Sequence, residues 1–167
     1  GRTSQLMGHI EQPYIEVSPK DAKALSIEEN QLVKVASKLG AVTLRVKITE
    51  SQRPGQVFAP IHWTDQFANN AVVSTLIDST VDPLSGQPES KFARVCIQPV
   101  AHLIYGFCIS QKPLNLKSGA YWCLVTLENG SHSEFAFQEE SSTQQRLFNR
   151  AKKQLNESFA NIGGGEW

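Results

Sequence analysis

Short runs of alternating apolar and polar side chains dominate the first hundred residues of the chain, and each run predicts a half-buried β-strand. Such runs are found at 13–17, 32–37, 41–48, 56–60 and 93–97. The second and third runs are separated by Lys38-Leu39-Gly40, which predicts a hairpin in which Gly40 supplies the unusual backbone angles of the turn. The stretch 71–76 is interpreted as a short helix or helical turn.

A short helix is predicted between the first two strands. Ser18 can cap its first turn, Pro19 suits the first helical position, and Asp21 completes a capping-box pattern, so the helix runs to about Leu25. Asn30 tolerates the left-handed conformation that the following tight turn needs. Short strands around one helix suggest a small closed β-barrel, in which pairing leaves no exposed strand edge.

A second region follows from about residue 100. It contains three predicted strands (104–110, 121–127 and 133–137) and an amphipathic helix at 141–159, with Leu147, Ala151 and Leu155 on one face. The chain ends in a glycine-rich linker. We therefore predict an α+β, mainly β protein with a barrel domain at 1–99, a smaller strand-and-helix extension at 100–162 and a linker at 163–167.

Composition excludes several classes of function. The 167 residues contain 16 Lys+Arg and 16 Asp+Glu, a balance that argues against nucleic-acid binding, which needs a basic surplus. No apolar run approaches the roughly 20 residues of a membrane span. No signal peptide or initiator Met opens the sequence, which favours a piece cut from a longer polypeptide. Cys96, Cys108 and Cys123 form no CxxC pair, so we predict buried, reduced thiols that fill core space.

Two loops stand out as candidate chemistry, because the chain has no GxSxG elbow, P-loop or GxGxxG. The loop at 60–70 carries His62, Trp63, Asn69 and Asn70, and amides beside an aromatic ring can hold a purine-like heterocycle. The loop at 82–91 adds Lys91, a charge suited to phosphate. The alternative interpretation is that Trp63 and Phe67 are core and that the asparagines cap turns.

Several motifs resemble the C-terminal domain of molybdenum enzymes that carry bis(molybdopterin guanine dinucleotide). The segment 16–22 is similar to its "E-x-x-P-x-D-A" opening, 37–40 to its "S-x-x-G" turn and 53–60 to its "R-x-G-x-V-F-x-P". The loops at 61–68 and 82–91 resemble the assimilatory nitrate reductase branch in particular. Tyr105-Gly106-Phe107 and Tyr121-Trp122 are similar to an extension that these reductases carry.

This resemblance implies a double-psi β-barrel over about 10–98. It implies that Asn70 and Lys91 contact the dinucleotide, that His62 lies toward the substrate side, and that Arg2 is the remnant of an arm contacting the cofactor. Trp63 stays a candidate cofactor contact through its ring. The parent would be a cytoplasmic reductase that converts nitrate to nitrite, with a 4Fe-4S cluster elsewhere and its remaining domains as partners. The fragment alone is expected to be inactive and to hold no cofactor.

Other functions stay open at this point. One alternative is the equivalent domain of a formate dehydrogenase. Another is a stand-alone double-psi barrel that acts as an interaction or substrate-recognition module. A third makes 100–160 a docking appendage for an electron-transfer domain. The family's "W-H-T-x-T" motif is missing upstream, and Glu29-Asn30 stands where the family has "D-G".

Overall fold

The computed structural model describes residues 12–87, 92–101, 103–111, 121–127, 130–138 and 153. The chain divides into two compact units, unit 1 at Gly1–Val100 and unit 2 at Ala101–Trp167. The described fold is mainly β with few helices, as predicted. The predicted helix at 141–159 and the linker lie outside the described residues.

Unit 1 contains five strands, one α-helix and one 3₁₀ helix among its described residues. In chain order they are β1 (Tyr14–Val17), α1 (Pro19–Ala24), β2 (Leu32–Ala36), β3 (Ala41–Ile48), β4 (Val57–Phe58), the 3₁₀ helix (Val73–Leu76) and β5 (Cys96–Pro99). The alternation of β2 and β3 predicted their bounds to within a residue. The run at 56–60 contributes only two strand residues, and the strand predicted at 93–97 lies later, at β5.

The five strands form one mixed sheet with the order β4-β1-β3-β2-β5. β3 is central: it pairs antiparallel with β2 across the hairpin and parallel with β1, with Tyr14 opposite Arg45 and Glu16 opposite Lys47. A parallel pair needs a crossover connection, and here α1 and β2 lie between the two paired strands in the chain. The resulting topology brings the two ends of the segment 14–48 side by side.

Alternate side chains of these strands form the core of unit 1. The fully buried members are Ile15, Val17, Leu32, Val33, Val35, Val42, Leu44 and Val46. Branched aliphatic side chains pack well on a pleated sheet, so this run of Val, Ile and Leu both favours strand geometry and supplies the apolar burial that stabilises it.

The cap that Ser18 provides at the start of α1 is confirmed, although Asp21 returns its bond to the Ser18 hydroxyl rather than to the backbone N–H. The Oγ of Ser18 accepts the backbone N–H of Asp21 at 3.1 Å and donates to its Oδ2 at 2.9 Å. The same Oδ2 accepts the backbone N–H of Gly55 at 2.7 Å. Gly55 has a φ of +79° and lies in the turn before β4, so one carboxylate joins the helix start to that turn.

The role predicted for Gly40 in the hairpin is wrong. Its φ is not in the left-handed region, where only Gly55 and Gly86 lie among the described glycines. Instead, a Cβ at Gly40 would come within 2.8 Å of the backbone oxygen of Thr75 in the 3₁₀ helix. Glycine is required here because another segment approaches the backbone closely, while Asn30, with a φ of 63°, takes the left-handed conformation as predicted.

Unit 2 contains a three-stranded antiparallel sheet in its described part. Its strands are β6 (Leu103–Ser110), β7 (Tyr121–Leu127) and β8 (Gly130–Gln138), in the order β6-β8-β7. Tyr121, Cys123, Phe135 and Ala136 are buried. All three predicted strands are present, and β8 is longer than the 133–137 predicted for it.

The prediction for the cysteines holds only in part. All three are free thiols, but Cys96 is exposed, Cys108 is half-buried and only Cys123 is buried. Burial raises the pKa of the Cys108 thiol, which keeps it protonated near neutral pH. Apolar neighbours in the sequence did not indicate which face of the strand each thiol occupies, and for Cys96 it is the solvent face.

Within the described residues, no helix combines the length and apolar character that crossing a membrane requires.

Replacing Ser18 by alanine is expected to lower the free energy of unfolding by about 1 kcal/mol, because the first turn of α1 loses its cap and Asp21 loses a donor. Ser51→Ala, in an exposed turn, is the matched control and should change stability by less than about 0.5 kcal/mol. Urea unfolding followed by circular dichroism measures both. Equal stability of the two variants would contradict the role of the cap.

The Glu16–Lys47 pair predicts acid sensitivity. Burial raises the pKa of Glu16, but hydrogen bonds from Gln52 and Lys47, with the charge of Lys47, lower it more, so its pKa lies below the ordinary 4.5. A carboxyl with a depressed pKa stabilises the fold above its unfolded pKa, and this contribution is lost as pH falls through its folded pKa. The Nζ of Lys47 lies 3.0 Å from Oε1 of Glu16.

We therefore expect wild-type stability to fall as the pH drops below about 4.5, and Glu16→Gln to remove part of that fall while lowering stability near neutral pH. The exposed Glu50 provides a matched control, Glu50→Gln. Urea unfolding at several pH values between about 3 and 7 tests this. A pH profile that Glu16→Gln leaves unchanged would show that the pair contributes nothing.

Candidate functional site

The loop that follows β4 is anchored over unit 1 by its apolar residues. The fully or nearly fully buried members of the segment are Pro60, Trp63, Ala68, Ala71, Val73 and Leu76. The backbone oxygen of Thr64 accepts the N–H groups of Phe67 at 3.0 Å and Ala68 at 3.1 Å, which closes a helical turn. These contacts fix the path of a segment that has little regular structure.

Asn70 is held by its backbone and exposed through its side chain. Its carbonyl oxygen accepts the N–H of Thr43 at 2.6 Å, and its φ is +49°. Thr43 belongs to β3, and the next N–H on the same edge of β3, that of Arg45, is bonded to the oxygen of Pro13 just before β1. The Asn70 loop thus bonds to the same edge of β3 as β1, just beyond the N-terminal end of β1. A non-glycine residue in the left-handed region is uncommon, and asparagine tolerates it best.

The 3₁₀ helix provides a second anchor on the same hairpin. Its residue Thr75 reaches the backbone at Gly40, and its own start is closed by the Oγ1 of Thr75 donating to the oxygen of Val72 at 2.8 Å. The loop is therefore held against β2–β3 at two points, by Asn70 at Thr43 and by Thr75 at Gly40. Neither Thr43 nor Gly40 was singled out from the sequence as part of a site, although the "S-x-x-G" turn contained Gly40.

Trp63 is buried to 3% exposure, so its ring belongs to the core of the loop and does not present a face to solvent. This agrees with the alternative interpretation made from the sequence. Its indole Nε1, however, is buried without a hydrogen-bond acceptor among the described residues. A buried donor without a partner costs about 1–3 kcal/mol, so the loop holds an unmet polar group directly beside the exposed His62.

The second candidate loop is ordered by one carboxylate. The Oδ1 of Asp82 accepts the N–H of Leu84 at 3.0 Å, the N–H of Ser85 at 2.7 Å and the Oγ of Ser85 at 3.0 Å. These bonds, with those to Ser85 the strongest cause, lower the pKa of Asp82. Gly86, at φ +68°, closes the turn with its N–H on the oxygen of Asp82 at 2.8 Å.

The structure therefore describes three of the five predicted site residues. Asn70 and His62 are exposed on the anchored loop, and Trp63 is buried within it. Lys91, which follows the Asp82 turn, and Arg2 lie outside the described residues. In the described part of the chain, no group of three or more His, Cys, Asp or Glu side chains is arranged to hold a metal ion.

The sequence of this chain is similar to one protein family and to several known enzymes. A family model described as "Molydopterin dinucleotide binding domain" matches residues 1–94. A nitrate reductase of Klebsiella oxytoca is 38% identical over 122 residues, which make up 73% of this chain and 14% of that protein. An F420-dependent formate dehydrogenase subunit alpha of Methanocaldococcus jannaschii is 37% identical over 99 residues, 59% of this chain and 14% of that protein.

The assimilatory nitrate reductase catalytic subunit of Bacillus subtilis is 39% identical over 87 residues, 52% of this chain and 12% of that protein. The chain thus spans only 12–14% of the length of these relatives. Their activities consequently belong to much longer polypeptides.

Gly40→Ala is expected to lower the free energy of unfolding by about 1–3 kcal/mol, because the new Cβ would meet the backbone oxygen of Thr75 and force the 3₁₀ helix away from the hairpin. Lys38→Ala, in the same turn but exposed, is the control and should change stability by less than about 0.5 kcal/mol. Urea unfolding measures the difference, and backbone amide NMR shifts at Asn70 and Thr43 report the displacement. Unchanged shifts at both residues in Gly40→Ala would disprove the second anchor.

Proposed function

The chain belongs to the molybdopterin dinucleotide binding domain family, and on that premise we propose that it supplies part of the site for bis(molybdopterin guanine dinucleotide) in a nitrate reductase. The observation that carries this proposal is the geometry of Asn70, whose side chain is exposed on a backbone anchored to β3. Such an anchor fixes the backbone of Asn70 before a ligand arrives, which reduces the entropy lost on binding.

An amide suits this ligand because it offers a donor pair and an acceptor on one planar group. Pterin and guanine rings carry donors and acceptors side by side on their edges, so one asparagine can make two hydrogen bonds to either ring. The buried indole N–H of Trp63 has no acceptor among the described residues, and a bridging water between it and a polar ligand would satisfy it.

Positive charge is the second requirement of a dinucleotide, because its phosphates are anionic. We assign this role to Lys91, with Arg2 as a weaker candidate, and place His62 toward the substrate side. The turn closed by Asp82 sets the backbone a few residues before Lys91. A lysine provides a compact charge on a flexible stem, which suits a phosphate oxygen.

When bound, the molybdenum cofactor would supply the oxygen-atom transfer that converts nitrate to nitrite. The chain contributes binding and orientation, and we propose that it is inactive alone. Its partners in this proposal are the remaining domains of the parent reductase, which also hold a 4Fe-4S cluster. We place the parent in the cytoplasm, as the sequence resemblance implies.

The choice of nitrate over formate is supported by the length of one alignment, that with the Klebsiella oxytoca nitrate reductase; the alignment with the Bacillus subtilis nitrate reductase, over 87 residues, is shorter than the one with the formate dehydrogenase subunit. Identity to the formate dehydrogenase subunit is 37%, nearly equal to the 38% of the nitrate reductase. Unit 1 holds 100 residues, so an alignment over 122 residues of this chain must include at least 22 residues of unit 2. The formate dehydrogenase alignment, over 99 residues, is short enough to lie within unit 1.

We also propose that unit 1 is a double-psi β-barrel. The parallel pairing of β1 with β3 across an intervening helix and strand supports this, as does the way the Asn70 loop extends β1 along the same edge of β3.

The test compares substitutions in the full-length reductase. Asn70→Asp keeps a residue that tolerates the left-handed backbone but removes the amide donors and adds a negative charge beside the phosphates. We expect its molybdenum and pterin content to fall about tenfold, consistent with a lost hydrogen bond to a charged or polar ligand. Lys91→Ala should lower the content as well.

The matched control is Asn30→Asp, since Asn30 is also exposed and left-handed, with a φ of 63°, but lies in the turn before β2. It should keep full cofactor content and nitrate turnover. Full content and normal turnover in both Asn70→Asp and Lys91→Ala would show that the loops are structural, and would favour an interaction module instead.

A further inference from the structure

Three large apolar side chains project together from unit 2. Tyr105, Phe107 and Ile109 occupy alternate positions of β6, so they lie on one face of the sheet, and they are 52%, 71% and 68% exposed. We define these three residues as the β6 stripe. β6 is also an edge strand of the sheet in the part of unit 2 that the structure describes.

The stripe continues a face that is already buried elsewhere. Tyr121 and Cys123 of β7 lie across β8 from Tyr105 and Phe107 on the same face, and both are fully buried. The same sheet face is therefore covered at its β7 side and open at its β6 side. The ring of Phe107 also lies against that of His132, with centroids 6.0 Å apart.

An apolar edge strand of eight residues is a hazard on a free surface, because its exposed apolar side chains favour association with other chains. Natural edge strands usually carry charge or proline, and the outward positions of this one carry neither. A stripe of this kind is the signature of a surface that another part of a molecule covers.

We infer that the β6 stripe docks against the remaining domains of the parent polypeptide. This inference rests on the proposal that the chain is part of a reductase. The aligned segment makes up only 14% of the nitrate reductase, so most of such a protein lies outside this chain. A tethered domain meets its neighbours at millimolar effective concentration, which favours intramolecular cover over a second copy or a separate partner.

The alignment with the nitrate reductase agrees with this assignment, because it must extend into unit 2.

Hydroxyl-radical footprinting of the full-length reductase tests the inference without any substitution, since it reports the solvent exposure of individual side chains. After correction for intrinsic reactivity, we expect Phe107 and Ile109 to be oxidised at least about tenfold more slowly than Leu39, as at the core of a packed interface. Leu39, 59% exposed at the hairpin of unit 1, is the exposed reference, and Ile15 is the buried one.

Protection that persists on dilution of the enzyme supports cover by the same polypeptide. Protection that disappears on dilution would overturn the inference in favour of a second copy, and oxidation as fast as that of Leu39 would overturn it in favour of an open surface or a separate partner. Footprinting does not depend on cofactor content, so the two proposals can fail separately. If Asn70→Asp keeps its cofactor while β6 is protected, only the proposed function fails. If Asn70→Asp loses its cofactor while β6 is oxidised as fast as Leu39, only this inference fails.

Discussion

One hydrogen-bonding edge of β3 organises unit 1. Its N–H groups are used in succession by two different segments: Arg45 bonds to the residue before β1, and Thr43 bonds to Asn70. Because both segments use the same row of donors, the start of β1 determines where the loop can attach. The candidate site is thus an extension of the strand pairing that forms the core, and the rigidity of the core is passed to Asn70.

This arrangement explains how an irregular loop can position a binding group. Loops carry function when a rigid scaffold holds them, and here the scaffold is the β2–β3 hairpin. The hairpin contributes the backbone N–H of Thr43, which donates to Asn70. It also leaves space beside Gly40, where the backbone of Thr75 lies. This path requires a left-handed backbone at Asn70. The conformational strain is small because asparagine tolerates that conformation.

Local patterns predicted local structure well. The alternation at 41–48 gave the bounds of β3, and Ser18 with Asp21 predicted the cap of α1, because both depend on residues close together in the chain. The predictions that failed concern positions whose surroundings are set by residues far away in the chain. Nothing near Gly40 indicates that Thr75 approaches it, and nothing near Cys96 indicates that β5 turns that thiol to solvent. The candidate loop was found from residue types and a resemblance, whereas its anchor at Thr43 required the sheet register.

The two units differ in the kind of side chain that they expose to solvent. In unit 1 the exposed side chains of the loop around Asn70 are polar except Ile61, which is 59% exposed, and its other apolar side chains are buried or half-buried. In unit 2 the pattern is reversed along β6, where large apolar side chains face outward. Water does not favour that arrangement, and the free energy it costs in isolation would be recovered only by a covering surface. The sheet of unit 2 therefore has the composition of an interface, while the loop of unit 1 has the composition of a binding site, and the same parent molecule would satisfy both.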